Sequence, residues 1–119
     1  MSLNKQITST VTDAGKLEIA ITESERPIPG DDEVLIQIEA TPINPSDLGL
    51  LIGPGDINSL KAEDSKIIMD VPKAIMGAMK PRLNKPMPVG NEGSGVVIEA
   101  GANAQELMGK VVSLSLIHI

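Results

Sequence analysis

The sequence predicts an all-β barrel or sandwich with one or two short helical insertions. Three observations carry this. Short runs of β-branched residues recur along the chain, turn signals separate them, and only two stretches show helical spacing. With 119 residues, the chain has one domain's worth of length, enough for a single core.

The elements follow in order. Residues 5–12 are β-branched and polar, and Asp13-Ala14-Gly15 turns the chain. Leu17, Ile19 and Ile21 then alternate with Glu18, Ala20 and Thr22, a half-buried strand in a hairpin with the first. After the break at Arg26-Pro27-Ile28-Pro29-Gly30, the strongest strand pattern runs from Glu33 to Ala40 and ends at Pro42 and Pro45. Pro45-Ser46-Asp47 suits the start of a short helix, with Leu48, Leu51 and Ile52 at helical spacing and Gly53-Pro54-Gly55 as the stop. Residues 56–69 read as irregular and polar apart from Ile67-Ile68-Met69.

Asp70 reads as the N-cap of a helix reaching Lys80, with Pro72 in its first turn and Val71, Ala74, Ile75, Ala78 and Met79 on one face. Pro81 to Pro88 is a proline-punctuated loop. The stretch Val89 to Gly101 holds four glycines around the β-branched run Val96-Val97-Ile98. Gly93 and Gly95, at the strand's start, mark a bulge or the close approach of a backbone or ligand, and put Asn91 and Glu92 at a crowded strand entrance. Ala104 to Met108 allows one helical turn, and Val111-Val112 a last strand.

Composition narrows the function. The chain is 41% hydrophobic without any Phe, Tyr or Trp, so Ile, Leu, Val, Ala and six Met fill the core and no aromatic platform for bases exists. A net charge of −6 argues against nucleic acid and anionic membrane as partners. Without cysteine there is no disulfide, thiolate nucleophile or thiolate metal site, and one histidine is too few for an imidazole site. No signal pattern or membrane-length apolar run occurs, so a cytoplasmic protein is expected.

Three stretches, in order and at plausible spacing, carry a resemblance: Thr41-Pro42-Ile43-Asn44-Pro45-Ser46-Asp47, Val89 to Val97, and Gly109-Lys110-Val111-Val112. Together they resemble the N-terminal GroES-like domain of the medium-chain dehydrogenase/reductase superfamily, and within it the zinc-independent NADPH:quinone oxidoreductases. The resemblance implies a partly open β-barrel over residues 1–113, followed in the complete enzyme by a Rossmann domain. No dinucleotide fingerprint occurs within the chain, which is expected to be inactive alone.

The zinc-dependent branch has a cysteine where this chain has Asn44 and a histidine where it has Asn91. Neutral amides replace thiolate and imidazole poorly, so no metal is expected. The resemblance implies hydride transfer from NADPH to a quinone or activated alkene, with a homodimer as the complete enzyme. It assigns Asn44 and Asn91 to the catalytic walls of the cleft, and Asn44, Ser46 and Asp47 to the nicotinamide end of the cofactor. The same residues also read structurally: Ser46 or Asp47 as a helix cap, and Asn91 and Glu92 as polar support for the barrel.

The segment 56–85 holds Lys61, Lys66, Lys73, Lys80, Arg82 and Lys85, six of the ten basic residues. Its helix reads either as a substrate-entrance wall lined by Met76 or Met79, or as an apolar face on the barrel with solvated lysines. Residues 114–119 resemble the translated mosaic end of a transposon used in preparing sequencing libraries, so they are expected to be a non-native tail in which His118 has no role. Two other readings stay open. One is a free-standing barrel of co-chaperonin type that binds a protein through Leu48 to Ile57, and the other is a crystallin-like, non-catalytic role.

Overall fold

A computed structural model describes residues 3–116; the expectation about His118 lies outside the described residues. The elements are β1 (Leu3–Val11), β2 (Lys16–Glu25), β3 (Val34–Ala40), α1 (Pro45–Leu51), β4 (Asp56–Glu63), β5 (Lys66–Asp70), α2 (Lys73–Met76), a 3-10 helix (Gly77–Arg82), β6 (Met87–Pro88), β7 (Glu92–Ala100), a second 3-10 helix (Gln105–Leu107) and β8 (Val111–Ser115). This is the mainly β architecture with few short helices that the sequence predicts. The chain divides into two compact units: Leu3–Ser24 with Asn44–Val89, and Glu25–Ile43 with Gly90 onward.

The first unit is built on an open five-stranded sheet in the order β4-β5-β2-β1-β6. Leu17 lies opposite Met69 and Ile19 opposite Ile67 across the antiparallel β2–β5 pair. Paired residues share a sheet face, so the alternation read in β2 delivers one apolar surface. Val11, Leu17, Met69 and Val71 are its buried centre, and Ile52, Ile75, Met76, Met79 and Leu83 pack against them. Met76 and Met79 are therefore partly buried against this core.

Three expectations are corrected here. Residues 56–69 are not irregular: β4 and β5 form a hairpin with Glu63 opposite Lys66, turned by Asp64 at a positive φ of 54°. Asp70 is not an N-cap. It closes β5 opposite Lys16, whose ammonium pairs with its carboxylate. The helix reaches only Met76 before tightening into a 3-10 turn that contains Pro81. Proline has no N–H to give and its ring crowds the carbonyl four residues back, so an α-helix cannot run through that position without strain.

The second unit holds the three-stranded sheet β3-β7-β8, also open. Its β3–β7 pairing shifts register between Leu35 and Ile36 and again between Ile38 and Ala40. Beside the second shift, Gly95 comes so close to β3 that a Cβ there would run into the carbonyl of Gln37 and the side chain of Ile36. The glycines at the start of β7 thus mark both a bulged pairing and a close backbone approach, as the sequence predicts. Leu114 and Ser115 continue β8, opposite Gly93 and Glu92, and the Leu116 N–H donates to the Asn91 carbonyl at 2.8 Å. No helix among the described residues is long and apolar enough to cross a membrane.

Candidate functional site

The first two of the three stretches singled out in the sequence, Thr41 to Asp47 and Val89 to Val97, each have residues in both units. In the three-stranded unit, Thr41 and Pro42 of the first motif meet Glu92, Gly93 and Ser94 of the second around an open groove of about 590 Å³. Ala40 and residues 113–115 complete it. The β7–β8 register sets its polar side: Glu92 lies opposite Ser115 and Ser94 opposite Ser113. Side chains alternate along a strand, so the carboxylate and three hydroxyls share one face. Gly93 keeps the other side close, since a Cβ there would stand 3.3 Å from Ile38 Cδ1 and 3.5 Å from Thr41 Cγ2. Asn91 is half-buried and immediately precedes β7.

Asn44, Ser46 and Asp47 lie at the start of α1 in the five-stranded unit. Asn44 is the N-cap and Asp47 stands three positions into the helix. The Asn44 N–H donates to Asp47 Oδ2 at 2.9 Å, while the Asn44 side chain accepts from the Asp47 N–H, a reciprocal capping box. The arrangement satisfies two helix-start groups at once and buries Asp47, only 6% exposed. Ser46 is exposed on the first turn. The structure therefore joins Asn44 to Asp47 and leaves Ser46 outside that pair.

Sequence reasoning missed what holds the other end of α1. Ser9 is fully buried and its Oγ donates to the Leu51 carbonyl at 3.1 Å. Arg82 Nη2 donates to Ser9 Oγ at 3.1 Å and to the Ser9 carbonyl at 3.3 Å, and Nη1 reaches the Leu50 carbonyl at 3.5 Å. A cation thus sits against the Leu50 carbonyl near the C-terminus of α1, where the helix dipole favours positive charge. Burial pushes the guanidinium below its ordinary pKa, and its Nε is buried without an acceptor. In the sequence, Arg82 entered only through the count of basic residues in 56–85, and nothing there pointed to its contact with Ser9.

Leu48 to Ile57, the loop a co-chaperonin reading would use, comprises the second half of α1, a turn and the start of β4. No group of three or more His, Cys, Asp or Glu that could hold a metal ion occurs among the described residues.

The sequence model of the alcohol dehydrogenase GroES-like domain matches residues 30–117. The chain belongs to this family. It is thereby a GroES-like domain of the medium-chain dehydrogenase/reductase superfamily, an oxidoreductase family. The match spans both motifs, all of the groove and the residues of β8. No curated protein matches the chain.

Proposed function

We propose that this GroES-like domain is the N-terminal catalytic domain of a zinc-independent reductase that passes hydride from NADPH to a quinone or activated alkene. One observation carries the reading. In the resemblance, Asn44 and Asn91 stand where the zinc-dependent branch has cysteine and histidine, and the chain has no cysteine anywhere. Two carboxamides are neutral, hard and weakly basic, a donor set unsuited to a catalytic zinc.

NADPH, when bound, supplies the hydride from its C4, and the reading places its main binding domain beyond residue 113. The protein's own residues orient and polarise. An asparagine side chain offers two N–H donors besides its acceptor oxygen. The capping box uses that oxygen, so the reading assigns the donors of Asn44 to the carboxamide end of the nicotinamide. Asp47 then acts through Asn44 by fixing its backbone. In the groove, hydroxyls of Thr41, Ser94 and Ser113 can donate to a substrate carbonyl oxygen as charge develops there. Ala40 and Pro42 supply apolar surface for the ring or alkene.

The test begins at the source DNA. The expected result is an open frame running past the Ser113 codon into a strand, a glycine-rich turn and a helix. The extended protein is expected to oxidise NADPH with a quinone and to contain no stoichiometric zinc in metal analysis. A stop codon directly after Ile119, or an extended protein with bound zinc and no quinone turnover, overturns the reading.

A further inference from the structure

We propose that Ser9 and Arg82 are positioning residues for Asn44: they hold the far end of α1, and through the helix they set where the Asn44 side chain meets the nicotinamide. The proposal rests on the reductase reading for the role of Asn44 and adds to it the pair that keeps that residue in place.

The two bonds of the capping box run between Asn44 and Asp47, so they shape the start of α1 and travel with it. At its other end the helix is bonded to the sheet. Ser9, fully buried on β1, uses its hydroxyl twice: Oγ accepts from Arg82 Nη2 at 3.1 Å and donates to the Leu51 carbonyl at 3.1 Å. A single orientation of the hydroxyl serves both, since the guanidinium only donates and the carbonyl only accepts. Arg82 also donates to the Ser9 carbonyl at 3.3 Å, from the end of the first 3-10 helix. The turn after α1 lies on the core, where a Cβ on Gly55 would stand 3.0 Å from both Leu17 Cδ2 and Met69 Sδ. Ile52, the residue that follows the helix, packs on the same core.

The seven residues of α1, at about 1.5 Å of rise each, put Asn44 roughly 10 Å from Leu51. A helix of two turns moves as one piece, so a tilt that starts at Leu51 arrives at Asn44. Hydride transfer is sensitive to such a shift, since a misplacement of about 1 Å can cost up to about a hundredfold in rate. On the reductase reading NADPH is held mainly by the domain beyond residue 113, so the loss falls on kcat rather than on KM.

Two measurements test this. In the isotope-labelled 119-residue chain, Ser9→Ala is expected to shift the side-chain amide signals of Asn44 and to speed hydrogen exchange along α1. Asn44 signals that stay in place overturn the proposal. In the extended protein, Ser9→Ala is expected to lower kcat about tenfold while KM for NADPH stays within about twofold. The deciding comparison is made on Asn44→Ala, where adding Ser9→Ala is expected to cost nothing further in kcat because the positioned side chain is already gone. An unchanged kcat in Ser9→Ala, or a loss of the same size on both backgrounds, overturns the proposal and leaves Ser9 a stabilising residue only. Should Ser9→Ala fail to fold, Arg82→Lys keeps the cation without the planar fork and goes through the same cycle, with a smaller loss expected. An extended wild type that does not oxidise NADPH sinks the reductase reading and this role with it. Turnover with additive losses sinks the positioning role alone.

Discussion

Arg82 holds Ser9 by two hydrogen bonds from one nitrogen, to its Oγ at 3.1 Å and to its carbonyl at 3.3 Å. Ser9 passes the contact on to Leu51 at the end of α1. The helix that begins with Asn44 is thus tied at its far end to the buried part of β1. Arg82→Met removes the donors but keeps much of the side-chain length, leaving carbonyls at Ser9 and Leu50 short of a partner. Each unsatisfied buried acceptor costs about 1 kcal/mol or more, so a loss of about 2 kcal/mol is expected in urea unfolding. Arg82→Lys restores the charge without the planar fork and is expected to recover only part of it.

At the near end of α1, the Asn44–Asp47 capping box makes a second prediction. Asp47→Ala removes the acceptor for the Asn44 N–H and is expected to lower stability by about 1 kcal/mol in thermal unfolding. Asp47→Asn keeps an acceptor oxygen and should lose less. On the reductase reading, Asn44→Ala in the extended protein should raise KM for NADPH or lower kcat by more than its modest effect on stability explains. Unchanged kinetics would reduce Asn44 to a helix cap.

Much of the fold is legible in the sequence, and the exceptions have physical causes. The alternation that starts at Leu17 and Ile19 and the β-branched run after Gly95 announce strands because part of one face is buried, although Ile21 at the far end of β2 is exposed. β4 escapes notice because its residues from Asp56 to Glu63 are mostly exposed and carry no apolar period. Its local bonds are those of a turn, with Asp56 Oδ1 accepting from the Asn58 N–H and the Ser59 Oγ donating to the Asp56 carbonyl. Only its pairing with β5 makes it a strand, and pairing is not written in a local pattern. The candidate site divides in the same way. The sequence reads Ser46 or Asp47 as the cap of α1, but the N-cap is Asn44 with Asp47 as its reciprocal partner, because the helix starts one residue before Ser46. The groove depends on the register that brings Ser113 opposite Ser94.

Asp70 shows how tertiary pairing overrides a local signal, and it yields a pH prediction. Its hydrogen bond to Lys16, and the attraction of that ammonium, hold the carboxyl below its ordinary pKa of 3.8, with Lys61 adding to the effect. The folded chain therefore binds a proton at this site less readily than the unfolded chain. The pair's contribution to stability is full above about pH 4 and fades as pH falls through the lower folded value. In an NMR titration, Lys16→Met is expected to move the Asp70 midpoint upward toward 3.8. A midpoint that stays put would mean that another group holds the charge.

Two glycines test the backbone argument in opposite directions. Gly95 faces the Gln37 carbonyl so closely that any Cβ forces the β3 and β7 backbones apart, at the bulge that shapes the sheet beside the groove. Gly95→Ala is expected to cost about 3 kcal/mol, because the obstacle is main chain and no rotamer change relieves it. Gly49 lies inside α1, where a Cβ would meet nothing within 4 Å and the backbone is helical. Gly49→Ala there is expected to raise stability by about 0.5 to 1 kcal/mol, chiefly by narrowing the unfolded ensemble. Denaturation midpoints moving apart in these two directions would support the strand register and the helix together. A harmless Gly95→Ala would mean that β3 and β7 do not approach as closely as the bulged register requires.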